Sequence, residues 1–230
     1  MGRGTSMMNT LVISSFAKDR LIWEDRIETR TGGPALFITK VLLENNIPFE
    51  IASGRTARVD IDMMGGLEIG KVIEVHPPIV KTEGAPDLVM ISTISDEHPL
   101  VAMGDFCCVD IQGYIRSNAV GKRPQFDWAE LERFDIIKAA EKEAMLIPKH
   151  LTRRLKLLLV TKGDDGFDVS EYGKIRSFRA KRVDPPDTIG AGDTLFCAFC
   201  LKYYQTRDIK QSSEFATETV TRFLRQKTRK

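Results

Sequence analysis

The chain has 230 residues, a net charge of +2, and apolar and charged fractions of 42% and 29%. That length supports one well-buried domain with a small appendage, and the near-neutral balance gives no electrostatic case for binding nucleic acid. No apolar stretch approaches the ~20 residues that span a bilayer, and the start, Met1 to Met8, lacks a signal-peptide core. Met7 or Met8 reads as the initiator. The expectation is therefore a cytoplasmic protein that engages neither membrane nor nucleic acid.

Thr10-Leu11-Val12-Ile13-Ser14 is a short β-branched apolar run and reads as a first strand. Gly32-Gly33-Pro34 breaks the chain, and Leu36, Ile38, Val41 and Leu42 give Ala35 to Asn45 helical periodicity. Phe49 to Ala52 reads as a second strand. This strand–helix–strand order predicts a parallel sheet with crossover helices. Between Arg55 and Asp87, the alternation of Arg58 to Ile61 and Lys71 to Val75 predicts a small antiparallel patch. Asp87 to Ile91, Asp105 to Val109, Asp135 to Ile137 and Leu157 to Val160 are further apolar strands. Trp128 to Phe134 reads as a short helix. Asp168 to Ser170 and Ile175 to Phe178 flank Gly173 as a hairpin, and two last helices begin at Gly190 and near Ser212. No repeat or linker interrupts the chain, so one domain over 9–230 is expected.

The stretch Asp187-Thr188-Ile189-Gly190-Ala191-Gly192-Asp193 bears most directly on function. It follows Pro185-Pro186 and precedes the apolar run Thr194 to Phe199. A Gly-rich turn here feeds a helix whose first N–H groups lack intrahelical partners, and the helix dipole adds positive potential, so the turn can hold a phosphate. Asp193 stands beside that anion, where a base takes a proton from an attacking hydroxyl. Taken alone, Gly-x-Gly-Asp would also serve as a tight turn with a helix cap. Other features read as structural. Gly65 to Val72 nearly spells a P-loop, but Val72 stands where a Mg²⁺-binding Ser or Thr is required. Cys197-x-x-Cys200 has no second ligand pair, and Cys107-Cys108 alternates along a strand, so all four cysteines read as packing. The basic segment Arg222 to Lys230 reads as a solvated helix end.

The full 187–193 string resembles the C-terminal signature of the ribokinase-like (phosphofructokinase-B-type) carbohydrate kinases, Asp-Thr-x-Gly-Ala-Gly-Asp. The order of features resembles that family from about Leu11 to Tyr204. Gly32-Gly33-Pro34-Ala35 is similar to its N-terminal Gly-Gly signature, and Asp19 falls where relatives bind substrate hydroxyls. Val109-Asp110-Ile111-Gln112-Gly113-Tyr114-Ile115-Arg116 is similar to the family's Asp-x-Gln-Gly-x-x-Arg segment, particularly in small archaeal and plant members such as the myo-inositol kinases. Val160-Thr161-Lys162-Gly163-Asp164-Asp165-Gly166 resembles the Thr-x-Gly-x-x-Gly loop beside the nucleotide.

The resemblance implies an α/β three-layer sandwich with a mostly parallel central sheet, flanking helices and a β lid, here reduced and placed in 55–87. It implies transfer of the γ-phosphoryl group of ATP to a hydroxyl of a sugar or polyol, inositol-type acceptors included. Asp193 would be the general base, with Gly190, Ala191 and Gly192 as the anion hole. Thr161, Gly163, Gly166 and Thr188 would border the nucleotide. Asp19, Gly32, Gly33, Gln112 and Arg116 would bind the acceptor, and Glu143 would hold Mg²⁺ through water. Two departures stand out. Ala140 occupies the position of the family's Asn in its Asn-x-x-Glu segment, and the chain is short where the lid lies, so a second subunit of a homodimer could complete it. A nucleoside kinase of the same fold and a catalytically reduced nucleotide- or sugar-binding protein are the alternatives.

Overall fold

The computed structural model describes residues 8–66, 68–80, 85–116 and 126–228. Met1 to Met7 lie outside the described residues.

The main sheet is built from central runs that are buried on both faces, while its edge strands, Phe49–Ala52 and Lys174–Phe178, are partly exposed. Its strands are β1 (Thr10–Ser14), β4 (Phe49–Ala52), β7 (Leu88–Ser92), β8 (Cys107–Asp110), β9 (Ile136–Ala140), β10 (Leu157–Thr161), β11 (Phe167–Glu171) and β12 (Lys174–Phe178), in spatial order β12-β11-β10-β9-β8-β7-β1-β4. The six strands from β4 to β10 pair in parallel, and the β11–β12 hairpin adds an antiparallel edge. Near-continuous apolar sequence is what such a sheet requires, because helices and loops cover both faces. Alternate residues divide between two cores. Val12, Met90, Cys108, Ile136 and Leu159 face α1 (Pro34–Glu44), α5 (Ala191–Thr206) and α6 (Ile209–Lys227). Leu11, Ile13, Val89, Ile91, Val109 and Ile137 face the other way, toward Tyr114, Leu131, Phe134 and Leu151. The short helices α2 (Gln112–Arg116), α3 (Glu141–Ala144) and α4 (Lys149–Thr152) lie along the chain between these strands.

A second sheet of four strands, here called the lid after the expectation above, has the order β3-β2-β5-β6, from β2 (Ala17–Ile22), β3 (Ile27–Gly32), β5 (Ala57–Asp62) and β6 (Ile69–Glu74). β2 and β5 pair in parallel and the other neighbours are antiparallel. Its apolar base, Ala17, Ala57 and Ile94 with Val59, Val72 and Val75, is small. The structure places half of this sheet before residue 55, in a stretch where the sequence suggests no strands. The reason is local. β2 does alternate, but its buried positions are Ala17, Asp19 and Leu21, so a carboxylate breaks the apolar pattern. β3 is largely exposed and polar. Of the near-P-loop, Leu67 lies outside the described residues and Ile69 to Val72 belong to β6, at the lid's edge, where a P-loop would open a helix.

Candidate active site

The parallel strands bring their carboxyl ends together at one rim of the sheet, which is where α/β folds place ligands. Ser92 closes β7, Asp110 closes β8, Ala140 closes β9 and Thr161 closes β10. The turn before α5 arrives at the same rim. Gly190 is the N-cap of α5, with φ +85°, and Ala191, Gly192 and Asp193 form the first turn. A β-carbon at Gly190 would lie 2.3 Å from the Phe37 ring, so glycine is required there for both backbone and space. Ala191 N–H donates to the Thr188 carbonyl at 2.9 Å and closes the turn. Asp193 is half-buried, and Ser92 Oγ donates to its Oδ1 at 3.4 Å.

Beneath this turn lies a residue that the sequence motifs do not single out. Lys138, on β9, is only 2% exposed. Its Nζ donates to Asp110 Oδ2 at 2.8 Å and to Gln112 Oε1 at 3.4 Å. A β-carbon at Gly192 would lie 3.3 Å from that same Nζ, which puts the ammonium directly against the Gly190–Asp193 turn. Burial pulls the Lys138 pKa down, but the carboxylates of Asp110, Asp193 and Glu143 more than offset it and hold the group charged. Within Asp135 to Ala140 an internal lysine in an apolar strand was the available signal, since a buried lysine needs a partner.

A cleft of about 1380 Å³ opens in front of the turn. Thr161, Gly163, Gly166 and Thr188, the four residues expected beside a nucleotide, all line it together with Ala191 and Gly192. Leu195 of α5 and Val220 and Leu224 of α6 form an apolar patch of its wall, beside Thr217 and Thr221. In this arrangement both polar groups of Thr188 are engaged by the lid: Glu68 accepts from its N–H at 2.6 Å and from its hydroxyl at 3.1 Å.

Among the residues expected to bind an acceptor, Asp19 and Gly32 touch. Asp19 is 3% exposed, and a β-carbon at Gly32 would fall 1.7 Å from its Oδ2, so only glycine admits the carboxylate. Burial pushes the Asp19 pKa up to about 6, with Arg30 pulling it partly back. Gly33 caps α1 beside them, with φ +82°. Gln112 begins α2 next to Lys138. Arg116 ends that helix, and its side chain lies outside the described residues. Glu143 stands in the first turn of α3, one oxygen accepting from Ala140 N–H at 2.7 Å. Among the described residues no group of three or more His, Cys, Asp or Glu is placed to hold a metal. Glu143 offers one carboxylate with Asp110 and Asp193 nearby, a set that suits an ion keeping most of its water, as Mg²⁺ does. All four cysteines are buried and free, which agrees with a packing role.

Residues 127–221 match the sequence model of the pfkB family carbohydrate kinases. No curated protein matches the chain by sequence. Among solved structures, the chain is similar to a pyrophosphate-dependent kinase of the ribokinase family complexed with a pyrophosphate analog and myo-inositol. That likeness has 18% identity and a TM-score of 0.71, and covers 93% of this chain and 94% of that one. It is similar to a ribokinase from Cryptococcus neoformans var. grubii serotype A in complex with ADP, at 13% identity, 91% of each chain and a TM-score of 0.66. It is also similar to a nucleoside kinase from Burkholderia thailandensis in complex with inosine, at 15% identity, 92% of this chain, 89% of that one and a TM-score of 0.67. The described chain thus has the ribokinase fold, and its residues 127–221 carry the sequence pattern of the pfkB family of carbohydrate kinases.

Proposed function

We propose that the protein transfers the γ-phosphoryl group of Mg-ATP to a hydroxyl of a sugar or polyol, with inositol-type acceptors first among them. The observation that carries this reading is the convergence at one rim of the Gly190–Asp193 turn, the buried ammonium of Lys138 and the cleft lined by Thr161, Gly163, Gly166 and Thr188. The acceptor oxygen attacks the γ-phosphorus. A P–O bond forms, the bond to the ADP leaving group breaks, and the hydroxyl proton passes to Asp193. The amides of Gly190 and Gly192 and the Lys138 ammonium stabilise charge on the transferring oxygens, while Ala191 N–H keeps the turn closed. Glu143 would hold the donor's Mg²⁺ through water, and Asp19, Gly32, Gly33 and Gln112 would orient the acceptor. The apolar patch of Leu195, Val220 and Leu224 favours a nucleotide over pyrophosphate as donor, since pyrophosphate has no base to lay against it.

The test is release of ADP from Mg-ATP against a panel of polyols, sugars and nucleosides, with pyrophosphate as an alternative donor. Release with a polyol or sugar supports the reading. Release only with a nucleoside reassigns the acceptor, and release with none leaves a nucleotide- or sugar-binding protein. Asp193→Asn should keep nucleotide binding and lose turnover by ~10²-fold or more. Near-normal turnover in that variant rejects the mechanism.

A further inference from the structure

Asp187 opens the anion turn with more positive partners than one carboxylate needs. Arg30, reaching over from β3 of the lid, forks onto it through Nη1 at 3.0 Å and Nη2 at 3.1 Å. Ile189 N–H donates to its Oδ1 at 3.1 Å. Lys227, on the last turn of α6, donates to that same Oδ1. Burial raises the Asp187 pKa, but Arg30 and Lys227 outweigh it and hold the carboxyl below the usual range. A bidentate arginine already neutralises a carboxylate and satisfies both of its oxygens. A second cation, half-buried so that desolvation lowers its own pKa, is costly unless it does something else.

The second contact of Lys227 is with a neutral group. Its ammonium donates to the Ile189 carbonyl at 2.7 Å. The peptide unit is planar and trans, so that carbonyl and the following N–H, which belongs to Gly190, point in opposite directions. Holding the Ile189 oxygen toward Lys227 therefore aims the Gly190 N–H away from Lys227. Gly190 also sits at φ +85°, and a glycine lets the preceding peptide turn over with little steric resistance. An anchor is needed at this peptide. The stem of Lys227 is itself fixed, with Nζ 4.9 Å from the centroid of the Phe223 ring. That ring packs edge-on against Phe37, the residue that fills the space beside Gly190.

We propose that Lys227 is a positioning residue for phosphoryl transfer: its ammonium bridges the Asp187 carboxylate and the Ile189 carbonyl, and so locks the Ile189–Gly190 peptide with the Gly190 N–H toward the donor's terminal phosphate. This rests on the phosphotransfer reading above. The groups around it set its character: Arg30 and Glu68 hold the same turn from the lid, and Lys227 holds it from α6.

The experiment compares wild type with Lys227→Met, Lys227→Arg and Lys227→Ala, using Mg-ATP and whichever acceptor the panel identifies. Urea midpoints are measured in parallel. Lys227→Met should lower kcat by about 10- to 100-fold, less than the ~10²–10³-fold typical for losing a hole donor outright, because the amide is misaimed rather than removed. The acceptor KM should change by less than about threefold, since the peptide is held by Lys227 and not by the residues proposed to bind the acceptor. Lys227→Arg should recover most of the turnover. Added propylammonium, which replaces the missing atoms and charge, should raise the turnover of Lys227→Ala severalfold, whereas tetramethylammonium, which has no N–H, should not. Unchanged kcat in Lys227→Met overturns the inference, as does a loss that follows the urea midpoint and ignores the amine. Failure of the wild type to transfer to any acceptor overturns the phosphotransfer reading itself, and this inference with it.

Discussion

Asp19 shows how one residue ties burial to function. Its carboxyl is 3% exposed, and burial raises its pKa from 3.8 to about 6. A carboxyl raised in the folded state binds more protons folded than unfolded between those two values, so stability falls as pH rises through that window. The contribution is fully present below pH 3.8 and lost above about 6. Asp19→Asn, which cannot ionise, should therefore be more stable than wild type at pH 7 by on the order of 2 kcal/mol, and the difference should shrink toward pH 4. Urea denaturation across that range reads this directly. A constant difference at all pH values would show that the carboxyl is ionised throughout. If Asp19 binds the acceptor as the anion, its loss also raises the acceptor KM while leaving the donor's unchanged. The price of the site is thus visible as a slope in stability.

At the scale of elements, Gly190 joins two motifs that lie far apart in sequence. Phe37 belongs to the helix that follows Gly32-Gly33, and its ring takes the space a side chain at Gly190 would need. Gly190→Ala places a β-carbon 2.3 Å from that ring and forces alanine into a positive-φ backbone. It should cost about 2–4 kcal/mol, combining overpacking with left-handed strain. Thermal unfolding checks this. Adding Phe37→Leu should return only part of the loss, because the backbone strain remains. Elements whose apolar period was clean were legible in the sequence. The main-sheet strands, α1 and the β11–β12 hairpin fall within a few residues of where pattern and turn chemistry put them. The first half of the lid was not legible, because β2 buries Asp19 where the period calls for an apolar residue and β3 is polar and largely exposed after Ile27. Lys138 and Lys227 were missed for another reason. Their partners, Asp110 and Asp187, are 28 and 40 residues away, and no local spacing encodes a contact made by the fold. The basic segment from Arg222 reads as solvated on charge alone, yet Lys227 turns inward to the anion turn.

At the scale of the whole molecule, the two cores are held apart by the sheet, and the helical side carries the site. α5 supplies Asp193 at its start and buries Phe196, Cys197, Phe199 and Cys200 along its length. The placement of Asp193 and the packing of the core are thereby properties of one helix, and whatever loosens the second shifts the first. The four thiols follow from this in a way that has nothing to do with catalysis. Burial pushes the Cys107 pKa up to about 12, and it drives those of Cys108, Cys197 and Cys200 up as well, so the reactive thiolate is scarce at neutral pH. For Cys108, Cys197 and Cys200, which share the core between α5 and the sheet, only molecules in which the helix has lifted present an ordinary thiol to solvent, while Cys107 packs on the sheet's other face. A thiol-reactive dye should therefore modify the folded chain slowly, at a rate set by opening rather than by reagent chemistry. Cys108 and Cys197, on opposite sides of the same seam, should react together. Saturating Mg-ATP should slow both by favouring the closed form. Fast modification of Cys197 alone would mean that the helix breathes independently of its sheet. The cysteines thus act as an internal clock on the element that bears the proposed base.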